Sequence, residues 1–398
     1  MLSKTTTSSK QEKYDLFKRE RPFLTHEHEM FRTSLQKFLE KEAIPNIEKW
    51  EEDKYTPREF YEKLGANGFL CPQVKEEYGG LGLDFGFNMV LGEELNRVGI
   101  GTLASMSSSI VVPYLEEYGS EEQKQKYLSK CVSGEITTSV AMTEPGIGSD
   151  LANMSTTAVR DGDHFILNGE KTFISNGINA GLFFVAVKTD PKATPARKGI
   201  SIILVEADTP GFSRGKTLKK LGQHSTDTVE LVFEDARVPV ANLLGEEGKG
   251  FYYLMDRLQQ ERLLIAINSL VVAEEMLKST MSYVKERHAF GKPISSFQNT
   301  QFEIAEMATE LSMAQTFLDE LTSKHMKGEN IVTQISMAKW FISEMARRMS
   351  ARCLQLHGGY GFMEEYPIAR RYRDVAVMPI YGGTTEIMKN IIAKNLGL

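Results

Sequence analysis

Thr143-Glu-Pro-Gly-Ile-Gly-Ser-Asp150 is the stretch at which the chain changes character. Apolar residues lead into it (Val140, Ala141, Met142), and short β-rich runs follow. Its two glycines, Gly146 and Gly148, stand after a proline and before a hydroxyl and a carboxylate. A backbone of that composition can turn sharply and present successive N–H groups to an anion. Junctions between two kinds of structure are common places for cofactors. Spacing alone leaves a plain Pro-Gly turn before a strand equally open.

Upstream, the chain from about Thr25 to Gly134 reads as helical, with Met30, Phe31, Leu35, Phe38 and Leu39 at helix spacing. Thr56-Pro57-Arg58-Glu59 reads as an N-cap followed by proline at the first helical position. Ser120-Glu-Glu-Gln123 has the form of a capping box. Downstream, His164–Leu167, Thr172–Ser175, Leu182–Lys188, Ile200–Glu206 and Thr228–Phe233 read as strands separated by Asp-Gly, Asn-Gly and Pro-Gly turns. They describe a compact antiparallel β domain ending near Leu244. Long helical patterns then return over Arg262–Arg287, Thr300–Met326 and Ile331–His357, with a shorter one near Thr384–Lys394, as in a four-helix bundle. The expected fold is therefore mainly α with a central antiparallel β domain. Its expected parts are a flexible N-terminal segment (1–24), a helical N-terminal domain (25–139), a β domain (140–246) and a C-terminal four-helix bundle (247–398).

A length of 398 residues points to two or three domains, and 41% hydrophobic with 25% charged residues is the composition of a globular protein. The net charge of −6 argues against a broad basic surface for nucleic acid. Cys71, Cys131 and Cys353 lie far apart without a CxxC pair, which argues against a disulfide framework or a metal site and fits a reducing compartment. No apolar run approaches membrane-spanning length, so no integral membrane association is expected. The polar stretch from Met1 to Arg21 lacks the apolar core of a secretory signal, and Glu12, Asp15 and Glu20 are foreign to a mitochondrial leader.

Four separated segments carry more information together than any one alone. They are AMTEPGIGSD at 141–150, Asn168-Gly-Glu-Lys-Thr-Phe-Ile-Ser-Asn-Gly177, Tyr283-Val-Lys-Glu-Arg-His-Ala-Phe-Gly-Lys-Pro293 with Phe297-Gln298 after it, and Gln355-Leu-His-Gly-Gly-Tyr-Gly361 through Tyr381-Gly-Gly-Thr-Thr-Glu-Ile387. In this order and spacing the chain resembles the acyl-CoA dehydrogenase family from about Thr25 to Lys394. The resemblance implies FAD between the β domain and the bundle, a homotetramer, and an electron-transferring flavoprotein as acceptor. It also implies a cytoplasmic location in a bacterium or the mitochondrial matrix in a eukaryote.

The resemblance further implies roles for individual residues. Met142 and Thr143 would face the flavin pyrimidine edge, within a turn that includes Gly148. Ser149 would contact the phosphate or the substrate. Phe173 would pack on the flavin ring, where many relatives have Trp, and Ser175 would lie near flavin N5, where Thr is commoner. Arg287, Phe290, Gln298, Gln355 and Gly359 would contact FAD, several across a subunit interface, and Thr384 and Glu386 would contact it as well. A guanidinium suits a pyrophosphate, and the glycines at 358 and 359 allow close backbone approach. Taken singly, Arg287 reads more often as a solvated helix charge, and Phe173 as a core strand aromatic.

The expected reaction removes a proton from Cα and a hydride from Cβ of an acyl thioester, which requires a carboxylate base beside the flavin. Most of the family carries that glutamate in a Tyr-Glu-Gly-Thr segment. Here the segment is Tyr381-Gly382-Gly383-Thr384, and Gly382 has no side chain to serve. The long-chain and isovaleryl types place the base directly before an arginine at the opening of the bundle, and Glu261-Arg262 fits that pattern. Glu261 is thus the expected base, and Gly382 would offer its N–H to the thioester oxygen. Arg262 would hold the site or the CoA. The long-chain type is the most similar overall, and Tyr381 favours a medium-to-long straight chain over a branched one. The glutaryl type reads a distal carboxylate with an arginine, and none is present near Gly101–Ser105. The rival readings are a branched-chain (isovaleryl-type) enzyme, a flavin oxidase of the same fold, and a non-catalytic binding protein on that fold.

Overall fold

The chain enters its fold through helices α1 (His26–Glu42), α2 (Ile47–Asp53), α3 (Arg58–Ala66) and α4 (Phe85–Val98), then a π-helical stretch (Met106–Val111), α5 (Val112–Tyr118) and α6 (Glu121–Ser133). These positions come from a computed structural model, which describes residues 15–18, 20–100 and 106–398. The start of the expected flexible arm and the Gly101–Ser105 stretch lie outside the described residues. The capping box at α6 is present: Ser120 Oγ accepts from the Gln123 N–H at 3.2 Å, and Gln123 Oε1 accepts from the Ser120 N–H at 3.1 Å. Thr56 is not a cap. Pro57 holds that position on α3, and the buried Thr56 hydroxyl donates to the Ser225 carbonyl at 2.8 Å.

The arm from 15 to 24, expected to be flexible, is docked where it is described. Leu16 is buried against the bundle, and Arg21 reaches Glu93 at 2.6 Å and Asp319 at 3.4 Å. Its polar composition hid a few anchoring groups that only the folded partners complete.

The β domain holds β1 (Thr137–Ala141), β2 (Thr157–Asp161), β3 (His164–Ser175), β4 (Ala180–Lys188), β5 (Ile200–Glu206), β6 (Phe212–Thr217), β7 (Thr228–Pro239) and β8 (Leu243–Leu244). They form one sheet in the order β6-β7-β3-β2-β4-β5-β8, with β1 beside β4. The pairing is antiparallel apart from β1 with β4 and the single Thr157–Lys188 pair. The two expected strands His164–Leu167 and Thr172–Ser175 are one strand, interrupted by irregularities before Gly169 and between Lys171 and Ile174. β1 and β6 escape a sequence reading because neither alternates: β1 reads TTSVA, and β6 is almost wholly exposed. Leu182, Phe184 and Ala186 of β4 pack toward the N-terminal helices, whereas Phe183, Val185 and Val187 pack within the β domain. Burial on both faces explains its continuous apolar run.

The bundle consists of α7 (Gly250–Glu286), α8 (Gln298–Met326), α9 (Val332–His357) and α11 (Thr385–Asn395), with the short α10 (Pro367–Asp374) before the last. A hairpin of β9 (His288–Ala289) and β10 (Lys292–Pro293) separates α7 from α8. α7 starts at Gly250 rather than Arg262, because the polar run Asp256-Arg-Leu-Gln-Gln260 masks its buried face of Leu254 and Leu258. No helix among the described residues is long and apolar enough to cross a membrane.

Candidate active site

Thr143 ends the β1 edge, and its carbonyl accepts from the Thr172 N–H of β3 at 2.9 Å. Two backbone bonds then close the turn, from the Glu144 N–H to the Ile147 carbonyl (2.9 Å) and back (3.0 Å). The Glu144 carboxylate is buried and fully engaged. It accepts from the Ser155 N–H and hydroxyl (both 2.6 Å), the Thr156 N–H (2.9 Å) and Lys171 Nζ (2.9 Å). Burial works to raise its pKa, but these hydrogen bonds and the Lys171 charge outweigh it and hold the carboxyl at about 2. Lys171 is itself buried and also donates to the Met142 carbonyl at 3.1 Å. Glu144 is therefore a structural anchor with no oxygen free for proton transfer.

Gly146 and Gly148 do not adopt left-handed backbone, and a Cβ on either would meet nothing within 4 Å. The turn does not need glycine for its conformation; glycine keeps its outer face open. Gly148 and Ser149 are exposed, and Met142 and Thr143 are half-buried. Next to them Phe173 sits at φ 59° with 67% of its surface exposed, at an irregularity in β3. An aromatic residue in left-handed backbone is uncommon, and such strain gathers at ligand sites. Ser175 is half-buried, and its carbonyl accepts from Ser139 Oγ at 2.7 Å. Met142, Thr143, Phe173 and Ser175 thus share one edge, where β1 meets β3.

The π-helical stretch connects that edge to α7. Ser107 Oγ accepts from the Thr138 N–H of β1 at 3.0 Å, and the Ser109 carbonyl accepts from Gln260 Nε2 at 2.6 Å. Such stretches are frequent at functional sites. Glu261 follows Gln260, and its Oε2 is buried with no hydrogen-bond partner. Burial raises its pKa, and the charges of Arg262 and Lys339 pull in the opposite direction. Gly382 has a positive φ of 62°, and a Cβ built on it would lie 3.4 Å from Glu261 Oε1 and 2.2 Å from Ile265 Cδ1. Arg262 Nε donates to the Gly382 carbonyl at 3.2 Å, and Lys339 Nζ donates to the Gly383 carbonyl at 2.7 Å. Tyr381 and Tyr114 both feel the Glu261 charge, and burial pushes both phenols well above their ordinary range. Thr384 Oγ1 accepts from the Ile387 N–H at 3.3 Å and caps α11, whereas Glu386 is exposed in its first turn. Glu261, Arg262, Tyr381, Gly382 and Thr384 are therefore brought together.

The remaining expected residues lie elsewhere. Arg287 caps the far end of α7, twenty-six residues beyond Glu261, or about 39 Å at helical rise. Its guanidinium carbon lies 5.5 Å from the Tyr360 ring centre. Arg287, Gln355 and Gly359 line one basin of about 480 Å³ with His357, Gly358 and Met363. A Cβ on Gly358 or Gly359 would meet nothing within 4 Å. Phe290 stands at the tip of the β9–β10 hairpin, 95% exposed at φ 53°, and Gln298 is exposed at the start of α8. The sequence reading missed Lys339, Lys171 and Tyr114. Lys339 had a legible signal, since it interrupts the apolar stripe of Ile335, Ala338 and Ile342.

Three family models match in series. The acyl-CoA dehydrogenase N-terminal domain covers residues 25–135, the middle domain 139–236 and the C-terminal domain 248–397. The chain is 43% identical to the mitochondrial long-chain specific acyl-CoA dehydrogenase of Rattus norvegicus, over 94% of this chain and 88% of the relative. An acyl-CoA dehydrogenase from Geobacillus kaustophilus superposes with a TM-score of 0.94 at 58% identity, covering 95% of this chain and all (100%) of the other. A glutaryl-CoA dehydrogenase from Mycobacterium smegmatis, solved in complex with FADH2, superposes at 0.87 with 30% identity, covering 94% and 95% of the two chains. With three domain models in order and a free buried carboxylate set against a two-glycine turn, the chain belongs to the acyl-CoA dehydrogenase family.

Proposed function

We propose that the protein uses FAD to desaturate the α,β bond of medium-to-long straight-chain acyl-CoA thioesters, giving trans-2-enoyl-CoA. The observation that carries this reading is the Glu261 carboxylate: among the described residues its Oε2 is buried and unpaired, and its Oε1 would lie 3.4 Å from a Cβ built on Gly382. A carboxylate in that position takes the Cα proton, and the burial that raises its pKa brings it closer to the weakly acidic Cα–H. The Gly382 N–H stabilises negative charge on the thioester oxygen. Arg262 and Tyr381 border the acyl group, and Ser149 lies on the open face of the turn, toward the CoA. The 43% identity to a long-chain specific enzyme supports a long straight substrate.

The residues present fit FAD. Phe173 offers an exposed ring, and Gly146, Gly148, Gly358 and Gly359 leave open space where side chains would stand. Met142, Thr143, Gly148, Phe173, Ser175, Thr384 and Glu386 would hold the isoalloxazine and its nearby phosphate. Bound FAD supplies the hydride acceptor for Cβ. Arg287, Phe290, Gln298, Gln355 and Gly359 are too far from Glu261 along α7 to serve the same cofactor within one chain. They would serve the cofactor of a neighbouring subunit in a homotetramer, with an electron-transferring flavoprotein as the final acceptor.

Anaerobic titration of the purified holoprotein with acyl-CoAs of four to eighteen carbons, straight and branched, tests the reading. Flavin absorbance should bleach most with straight chains of eight carbons or more. Glu261→Gln should retain FAD and bind acyl-CoA, yet reduce flavin at least a thousandfold more slowly. Rapid peroxide release in air without an added acceptor would replace this reading with an oxidase.

A further inference from the structure

Lys339 lies in the middle of α9, is 0% exposed, and extends its ammonium to the loop before α11. A buried ammonium is costly unless something requires its charge. Among the described residues its hydrogen-bond partner is a single peptide carbonyl, that of Gly383 at 2.7 Å, which a neutral amide or hydroxyl could satisfy equally well. The adjacent carbonyl, that of Gly382, is held by Arg262 Nε at 3.2 Å. Two cations from two helices therefore grip successive carbonyls of one turn. Because each peptide unit is planar, this grip fixes the direction of the Gly383 and Thr384 N–H groups.

The same two cations flank Glu261 without touching it. Among the described residues neither forms an ion pair with the carboxylate, and Glu261 Oε2 has no hydrogen-bond partner. A base that must accept a proton from carbon needs this combination: positive charge close enough to favour its ionised form, and an oxygen left free. We infer that Lys339 is a positioning residue for the reaction, fixing the Gly382–Gly383 turn through the Gly383 carbonyl and supplying positive charge beside Glu261 without occupying its free oxygen. The inference rests on Glu261 being the base. The charged and titratable groups around the pair are Arg262 on α7, Glu344 on α9, Glu386 on α11, Tyr381 in the loop and Tyr114 on α5. Burial and the neighbouring Arg262 push Lys339 down to about 8, and Glu261, Glu344 and Glu386 oppose them. The ammonium is therefore still charged at neutral pH and is lost as pH rises through that value.

The test separates the grip from the charge. Lys339→Gln keeps a donor for the Gly383 carbonyl and removes the charge, and Lys339→Arg keeps the charge. In stopped-flow flavin reduction by octanoyl-CoA from pH 5 to 9, Lys339→Gln should move the acid limb of the profile to higher pH. On that limb the rate should fall by about tenfold. Lys339→Arg should leave the limb in place. The carboxyl band of Glu261, identified by infrared difference against Glu261→Gln, should persist to higher pH in Lys339→Gln whether or not substrate is present. A Lys339→Gln protein with lowered melting temperature but an unmoved limb and carboxyl band would overturn the inference and leave the base assignment intact. Full flavin reduction by Glu261→Gln would overturn both. If Lys339→Gln fails to fold, Lys339→Met is read in the same two assays with the same criteria.

Discussion

A methyl group built on Gly382 would stand 3.4 Å from Glu261 Oε1 and 2.2 Å from Ile265 Cδ1. The absence of a side chain at 382 and the presence of a carboxylate at 261 are thus two halves of one arrangement. Either the loop or the helix can fill this space, and here the helix does. Gly382→Ala should force Ile265 aside and strain a backbone held at φ 62°. The left-handed conformation alone costs about 1–2 kcal/mol for a non-glycine residue. Flavin reduction should fall at least tenfold, and the melting temperature should drop in the same protein.

The far separation of Glu261 and Arg287 along α7 gives a genetic test of the proposal that subunits share a cofactor site. Glu261→Gln and Arg287→Ala should each be inactive alone. Co-expressed with different affinity tags and purified through both, the mixed oligomers should recover activity, because some sites then draw Glu261 from one chain and Arg287 from another. No recovery in doubly tagged oligomers would mean that each site draws both residues from one chain.

Phe173 holds an unfavourable backbone conformation while its ring is mostly exposed. Phe173→Gly should relieve that strain, worth about 1 kcal/mol in the flavin-free protein. It should also weaken FAD retention, read as flavin lost on gel filtration. Opposite changes in apoprotein melting temperature and flavin content would identify strain kept for a ligand.

The Glu144–Lys171 pair should govern acid stability. The carboxyl of Glu144 is depressed to about 2, so its contribution is complete above its unfolded value and is lost as pH falls from about 5 toward 2. Glu144→Gln should be less stable than the parent at pH 7 by about 3 kcal/mol, since it leaves Lys171 buried without its counter-charge. Denaturant midpoints measured from pH 7 to 3 should converge, because the parent loses stability over that range faster than the variant.

Glu261 titrates in the opposite sense. Its pKa is raised by burial, so folding favours protonation of this group relative to the unfolded chain, and stability from this group is lost as pH rises through the folded value. Glu261→Gln should therefore raise the melting temperature of the flavin-free protein at pH 8 and raise it less at pH 5. An equal effect at both values would mean that the carboxylate is not penalised by burial.

Much of this protein was legible from sequence because local chemistry carries the signal. Helical periodicity, the Ser120 capping box and the apolar run of β4 each follow from neighbours a few residues apart. The glycine at 382 where most of the family has glutamate, paired with Glu261-Arg262, was also written in the chain, since it needs only the absence of one side chain and the presence of another. Tertiary structure decided what depends on distant partners. It spent the carboxylate of Glu144 on Lys171, Ser155 and Thr156, docked the polar arm at Leu16 and Arg21, and joined two short strands into β3 across its irregularities. It also brought Lys339 to the Gly383 carbonyl from a helix 44 residues away in sequence. The reason is physical: hydrophobic patterning is a local property of the chain, whereas burying a charge has meaning only once the group that answers it is in place.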